Sequence, residues 1–141
     1  MLTTLSDAKE LATGLLVSRG LSSESADRSA WAMVTADAWG KGSHGLLRLG
    51  HYLRRLDAGG IDPHAIMTVV KDTGPLIAFD GNEGMGHYQA YRASEFAVEK
   101  AKEFGVSLKT YGVQPSTNSE SITACHLSLI CIRTQRPSKR V

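Results

Sequence analysis

The chain has 141 residues, of which 42% are hydrophobic and 21% are charged, values that are ordinary for a soluble globular protein. This length is enough for one domain with a real core. No apolar run approaches the ~20 residues of a membrane span. Residues 1–10 lack the basic and apolar regions of a secretory signal. We therefore expect a cytoplasmic protein without a membrane partner.

The net charge of +2 is unevenly distributed along the chain. Residues 1–105 hold 11 basic and 13 acidic side chains, whereas residues 106–141 hold five basic side chains and one acid. Five cations over this stretch make a weak patch, so no nucleic acid partner is expected. Cys125 and Cys131 lack a second cysteine pair or a histidine cluster. They are interpreted as two unrelated thiols, and no metal site is expected.

Two helices are predicted at the amino-terminal end. The first covers residues 6–19, with Ser6 as its cap and Gly20 as its stop. The second begins near Ser22 or Ser23, and Gly40 follows it. The expected buried positions of the two helices are Leu11, Leu15 and Leu16 in the first, and Ala26, Ala30, Met33, Val34 and Ala38 in the second.

A third helix is predicted over residues 43–58. Ser43 is its expected N-cap, and Gly59-Gly60 ends it. One face carries an apolar stripe that must pack on another element, namely Leu46, Leu49, Leu53 and Leu56.

The pattern changes to β-strands after residue 66. Two β-prone runs, 67–71 and 75–79, flank the turn signal Asp72-Thr73-Gly74, which predicts a hairpin. A helix over about 87–104 follows, and Val106 to Gly112 can form another strand. The expected inward residues of that helix are Ala93, Ala97, Ala101 and Phe104.

The loop 80–86 is rich in glycine and lies between a predicted strand and a predicted helix. This order permits a nucleotide site, but Gly81, Gly84 and Gly86 do not form G-x-G-x-x-G, and no P-loop lysine is present. The favoured interpretation is a tight connection whose glycines take positive φ.

Four residues could carry chemistry, namely Ser43, His44, Arg48 and Tyr52. In a continuous helix His44, Arg48 and Tyr52 would stack along one face, at i, i+4 and i+8. Arginine can hold a carboxylate through two parallel hydrogen bonds, and imidazole exchanges a proton near neutral pH. These groups suit a small carboxylate that bears a carbonyl or hydroxyl group. The alternative is a solvated basic face with Ser43 as a simple cap.

The segment 36–49 resembles the opening of the malate/L-lactate dehydrogenase family, whose relatives include ureidoglycolate and sulfolactate dehydrogenases. Its sequence is Ala-Asp-Ala-Trp-Gly-Lys-Gly-Ser-His-Gly-Leu-Leu-Arg-Leu, and Tyr52 follows. The family pattern has an alanine–aspartate pair, a glycine, Ser-His-Gly, and then the arginine and the tyrosine. Asp80-Gly81, Gly84, Gly86 and the alanine-rich helix ending at Gly105 resemble the next family block. The resemblance spans about residues 4–107.

The resemblance implies a distinct α/β fold that is not a Rossmann fold, use of NAD or NADP, and a homodimer. It implies that Ser43, His44, Arg48 and Tyr52 line the site of a small 2-hydroxy or 2-oxo acid. His44 is the candidate catalytic residue among them, and no cofactor-binding residue is assigned.

The resemblance ends in the last part of the chain. The family continues with a block close to asparagine-serine-histidine-phenylalanine-glycine, whose histidine is its expected proton acceptor. Residues 114–120 here read Gln-Pro-Ser-Thr-Asn-Ser-Glu, without a histidine. We expect a frameshift or truncation near residues 107–113, and the alternative is a specialised short paralogue.

The sequence therefore predicts an α/β (α+β) chain in which amino-terminal helices precede a short mixed sheet and a long helix, as an incomplete fold of this family. The expected organisation is a helical segment over 1–60, the start of a mixed α/β domain over 61–112, and a divergent, disordered tail over 113–141. The expected function is hydride transfer between NAD(P) and the acid, in a truncated or inactive copy. The alternative is a non-catalytic acid-binding or dimerising fragment.

Overall fold

The computed structural model describes residues 4–112 and 130–133. These residues form four α-helices and four strands, and the chain divides into two compact units. The first unit comprises Met1–Ile66 and Glu83–Tyr88, and the second comprises Met67–Asn82 and Gln89–Val141. Within the described ranges, no helix is both long enough and apolar enough to cross a membrane.

Helix α1 runs over Leu5–Val17 and is capped by Thr4 rather than by Ser6. The Thr4 hydroxyl accepts a hydrogen bond from the Asp7 N–H (3.1 Å), and the Thr4 N–H donates one to the Asp7 carboxylate (3.2 Å). The prediction of Ser6 as the cap is wrong, because this reciprocal pair of hydrogen bonds caps the helix two residues earlier. Leu11 is also not a core residue, since 66% of it is exposed, whereas Leu16 is fully buried.

Helix α2 covers Ser23–Ala38, which confirms its predicted start near Ser22 or Ser23. Ser22 caps the helix by accepting a hydrogen bond from the Ser25 N–H (3.2 Å). Its predicted inward residues are buried except for the last, Ala38, which is exposed. Gly40 then takes a φ of 71°, a left-handed conformation that ends the helix at low cost.

The predicted third helix begins six residues later than expected. Two 3₁₀ turns, Gly42–His44 and Leu46–Arg48, precede helix α3, which covers Leu49–Asp57. Ser43 makes no capping hydrogen bond and lies inside the first 3₁₀ turn. The prediction of a continuous helix capped by Ser43 is therefore wrong, because Gly45 adopts an extended backbone between the two turns.

The core of the first unit consists of residues from α1, α2, α3 and the segment around Met85. Its buried members are Leu16, Leu21, Ala26, Met33, Leu56, Ile61 and Met85. Three other members of the predicted leucine stripe, Leu46, Leu49 and Leu53, pack against this cluster while remaining partly exposed. The stripe therefore anchors the 43–57 segment by apolar burial, as its spacing predicted.

The second unit contains a mixed four-stranded sheet of order β1-β2-β3-β4, formed by Thr68–Asp72, Leu76–Asp80, Val106–Gly112 and Ile130–Arg133. Strands β1 and β2 are antiparallel, which confirms the predicted hairpin. Strands β2 and β3 are parallel, and β3 and β4 are antiparallel. At the hairpin turn Gly74 has a φ of 84° and its N–H donates to the Asp72 carboxylate (2.8 Å).

Helix α4 covers Gly86–Phe104 and connects β2 to β3. Ala93, Ala97 and Ala101 are fully buried, as predicted, and Ala93 packs with Ile77 and Phe79 of β2. Phe104 is not an inward residue, since 42% of it is exposed. Its ring instead lies beside Gly74 and under the Lys100 ammonium, which is 5.8 Å from the ring centroid.

The glycines of the 80–86 loop do not take positive φ, contrary to prediction. The positive φ values fall on Asn82 (47°) and Glu83 (60°). Gly81 and Gly84 are buried, and a Cβ atom built on Gly86 would meet no atom within 4 Å.

The segment 113–141 was expected to be disordered, yet β4 belongs to it. Ile130–Arg133 pairs with Val106–Lys109 of β3. This pairing gives the backbone groups at that edge of β3 hydrogen-bond partners. The remaining residues of the segment, including Cys125, lie outside the described part of the chain.

Candidate functional site

The segment that carries the candidate residues is fixed to α2 by Asp37. The Asp37 carboxylate accepts a hydrogen bond from the Leu46 N–H (2.8 Å), which satisfies a backbone donor at the start of the second 3₁₀ turn. A Cβ atom built on Gly45 would overlap this carboxylate. Gly45 is therefore required by the close approach of Asp37 and not by its φ, which is −88°.

Ser43, His44 and Arg48 are held together by two hydrogen bonds. The Ser43 hydroxyl and His44 Nδ1 are 3.0 Å apart. Arg48 Nε donates to the Ser43 carbonyl oxygen (2.9 Å), and the terminal nitrogens of Arg48 have no partner among the described residues. All three side chains are exposed. The arrangement therefore presents an imidazole and a guanidinium edge to solvent.

The predicted helical stacking of His44, Arg48 and Tyr52 is not the geometry that the structure shows. His44 precedes α3 and lies in a 3₁₀ turn, so only Arg48 and Tyr52 are spaced by helical backbone. Ser43 joins His44 to Arg48 instead, through its hydroxyl and its carbonyl group. Tyr52 makes no hydrogen bond to a described residue.

Tyr52 is half-buried, and its ring contacts the rings of two histidines. The ring centroid of His51 lies 5.9 Å away, at an interplanar angle of 70°. The ring centroid of His87 lies 5.1 Å away, at 73°. Both contacts are edge-to-face arrangements, which aromatic rings favour. Tyr52 also packs against the apolar core of the first unit.

His87 is a residue of this neighbourhood that sequence reasoning missed. Burial lowers the pKa of the His87 imidazole below its ordinary value, because a desolvated ring disfavours the charged form. Its Nδ1 atom is buried and has no hydrogen-bond partner within the described residues. The available signal was its place in the first turn of α4, directly after the glycine-rich loop.

The glycine-rich loop uses one of its backbone donors within the loop itself. The Asn82 N–H donates to the Asp80 carboxylate (2.9 Å), so the loop uses a backbone donor internally and adds a negative charge. Phosphate binding requires free N–H groups and a positive field. No described residue is assigned to a nicotinamide cofactor. Likewise, no cluster of three potential metal ligands occurs in the part of the chain that is described.

Sequence comparison places the chain among known dehydrogenases. A sequence model of the malate/L-lactate dehydrogenase family matches residues 3–119. The chain is 33% identical over 94 residues to a malate dehydrogenase of Pyrococcus horikoshii, a match that covers 67% of this chain and 26% of that protein. It is 34% identical over 100 residues to an L-sulfolactate dehydrogenase of Methanocaldococcus jannaschii, a match that covers 71% of this chain and 29% of that protein.

Structural comparison agrees with the sequence match. The malate dehydrogenase structure from P. horikoshii superposes with a TM-score of 0.76 at 28% identity, over 79% of this chain and 32% of that one. The sulfolactate dehydrogenase structure from M. jannaschii gives 0.77 at 30% identity, over 81% and 33%. The α/β fold class is therefore confirmed.

These relatives are dehydrogenases, a class of oxidoreductases. The chain belongs to the malate/L-lactate dehydrogenase family. It spans about a quarter to a third of the length of the curated relatives that it matches.

Proposed function

We propose that this chain contributes the acid-binding part of an enzyme that transfers hydride between NAD or NADP and C2 of a small 2-hydroxy or 2-oxo acid. The observation that carries the proposal is the linked, exposed group of Ser43, His44 and Arg48, with the half-buried Tyr52 four residues beyond Arg48 in α3. We refer to these four residues as the acid site. The cofactor would supply or accept the hydride when bound.

Arg48 is the proposed carboxylate anchor. Its Nε is occupied by the Ser43 carbonyl oxygen, which fixes the plane of the guanidinium group. Its terminal nitrogens are free of described partners and can donate two parallel hydrogen bonds to a carboxylate. Fixing the group in advance reduces the entropy that is lost when the acid binds.

His44 is the proposed proton donor and acceptor at the oxygen on C2. In the direction of acid reduction, the protonated His44 ring would donate its Nε2 proton to the oxygen on C2 as hydride reaches C2, which leaves the ring neutral. In the reverse direction, Nε2 of the neutral ring would accept the proton of the substrate hydroxyl as hydride leaves C2. The Ser43 hydroxyl can accept a hydrogen bond from the Nδ1–H group in both steps and so hold the ring in one tautomer.

Kinetic measurements on the full chain test this proposal. The purified protein is mixed with NADH or NADPH and with pyruvate or oxaloacetate, and oxidation of the cofactor is followed by absorbance. His44→Gln should abolish any turnover, whereas His64→Gln, at an exposed histidine outside the acid site, should preserve it. Turnover that survives in His44→Gln would contradict the assigned role of His44.

An acid-binding or dimerising chain without turnover is the second candidate function. It is favoured by residues 114–120, which contain no histidine where the family pattern has one. In that case calorimetric titration would detect L-malate binding that depends on Arg48, while no cofactor oxidation would be seen. Absence of acid binding, of turnover and of a dimer would contradict both candidates.

We also propose a homodimer in the cytoplasm. The proposal is supported by the resemblance to a family of typically dimeric dehydrogenases. Light scattering coupled to size-exclusion chromatography, together with cell fractionation, would test it. A monomer at all concentrations, or a protein found in another compartment, would contradict it.

A further inference from the structure

Among the described histidines His87 alone is not exposed, and the proposed chemistry does not use it. It lies in the first turn of α4, in the same compact unit as Tyr52. The two rings meet edge to face, with centroids 5.1 Å apart. Because His87 Nδ1 is buried without a described partner, hydrogen bonding through this atom does not account for the placement of the ring.

His51 provides an internal comparison on the same tyrosine. It also meets the Tyr52 ring edge to face, but at 5.9 Å, and its side chain is exposed. An exposed ring exchanges rotamers readily, whereas a packed ring is confined. Of the two histidines, His87 is therefore the one able to restrict the orientation of the Tyr52 ring. The Tyr52 hydroxyl makes no hydrogen bond to a described residue that would fix the ring instead.

We propose that His87 is a positioning residue of the acid site, whose half-buried ring orients the Tyr52 phenol toward the oxygen on C2 of the acid. This inference rests on the proposed function, because it assigns a target to the phenol. The neutral state of His87 suits this role, since an uncharged ring packs against an aromatic face without requiring a counter-ion.

The positioning effect depends on the ring of His87 and not on its nitrogen atoms. Phenylalanine keeps a ring that can meet Tyr52 edge to face, and it removes an unpartnered buried nitrogen. Alanine removes the ring. His87→Phe should therefore behave like the natural protein, whereas His87→Ala should leave Tyr52 free to reorient. His51→Ala is the matched control, because it removes the exposed ring from the same tyrosine.

The first measurement is NMR spectroscopy of the Tyr52 ring in the full chain without ligand, assigned with Tyr52→Phe. His87→Ala should shift the Tyr52 ring signals strongly, and His51→Ala and His87→Phe should shift them little. Unchanged Tyr52 signals in His87→Ala would overturn the inference. This measurement requires no bound acid, so it stands even when the proposed function fails.

The second measurement is calorimetric titration with L-malate and with succinate, which lacks the hydroxyl group on C2. Loss of the edge contact in His87→Ala should raise the dissociation constant of L-malate by about two- to tenfold and leave that of succinate unchanged. The effect should vanish in a Tyr52→Phe background and be absent in His87→Phe. Equal weakening of both acids, or failure of His87→Phe to restore affinity, would overturn the positioning role. If the natural protein binds neither acid, the proposed function fails, and the Tyr52 signals alone decide whether His87 restrains the ring.

Discussion

The carboxylate of Asp37 occupies the space that a side chain on Gly45 would need. Asp37 lies near the end of α2, and Gly45 separates the two 3₁₀ turns that carry the acid site. The same carboxylate accepts the Leu46 N–H. One close approach therefore sets the backbone on which Ser43, His44 and Arg48 are placed.

Gly45→Ala should destabilise the first unit by about 1–3 kcal/mol, because the new methyl group overlaps the Asp37 carboxylate and the backbone must shift. Urea unfolding followed by circular dichroism would measure the change. Gly42→Ala is the control, since a Cβ there would meet Asp37 only at 3.8 Å. The overlap predicts a smaller penalty for Gly45→Ala in an Asp37→Ala background. Equal effects of the Gly45 and Gly42 variants would contradict the steric argument.

Arg48→Lys should weaken binding of L-malate by roughly ten- to a hundredfold, the equivalent of lost charge-assisted hydrogen bonds. The physical reason is that arginine donates hydrogen bonds to the Ser43 carbonyl oxygen and to the carboxylate from separate nitrogen atoms, whereas lysine has one ammonium group for both. Isothermal titration calorimetry is the measurement, and Arg54→Lys, at an exposed position in helix α3, is the control. An unchanged affinity would reduce Arg48 to a surface cation.

Thr4→Ala should lower the free energy of unfolding by about 1 kcal/mol, the usual effect of removing an N-cap side chain. Ser6→Ala should be neutral or slightly stabilising, because Ser6 lies inside α1 and alanine favours the helix. Parallel urea titrations of both variants would measure the difference. A larger loss in Ser6→Ala than in Thr4→Ala would show that the helix begins where the sequence pattern placed it.

Protonation of His87 should make stability depend on pH in a defined direction. Because burial lowers the pKa of His87 in the folded state, the unfolded chain takes up this proton first as the pH falls. The contribution to stability is therefore complete above the unfolded value of about 6.5 and is lost progressively below it, down to the folded pKa.

Urea midpoints of the natural protein and of His87→Phe, measured between pH 7.5 and pH 5, would test this dependence. The difference in free energy of unfolding between them should change by no more than about 1.4 kcal/mol per pH unit, since one proton is involved. The other histidines are common to both proteins, so their contributions cancel. A difference that is constant with pH would show that His87 titrates alike in both states.

Local sequence patterns determined the elements that depend on neighbouring residues. The leucine stripe predicted the buried face of the 43–57 segment, and the alanine spacing predicted the buried face of α4. The turn signal at Asp72–Gly74 predicted the hairpin. These predictions were possible because the spacing of apolar residues and the preferences of turn residues act over a few neighbouring positions. The Ser-His-Gly segment with its arginine and tyrosine identified the family, which the match over residues 3–119 confirmed.

Tertiary contacts decided the geometry of the acid site. Asp37 reaches Leu46 across nine residues and stops the helix from beginning at Ser43, so a pattern of i, i+4 spacing could not reveal it. The contact between Tyr52 and His87 joins positions 35 residues apart. The pairing of Ile130–Arg133 with β3 likewise depends on positions more than 20 residues apart. Such contacts depend on burial and on space between distant elements, and these become defined only when the chain is folded.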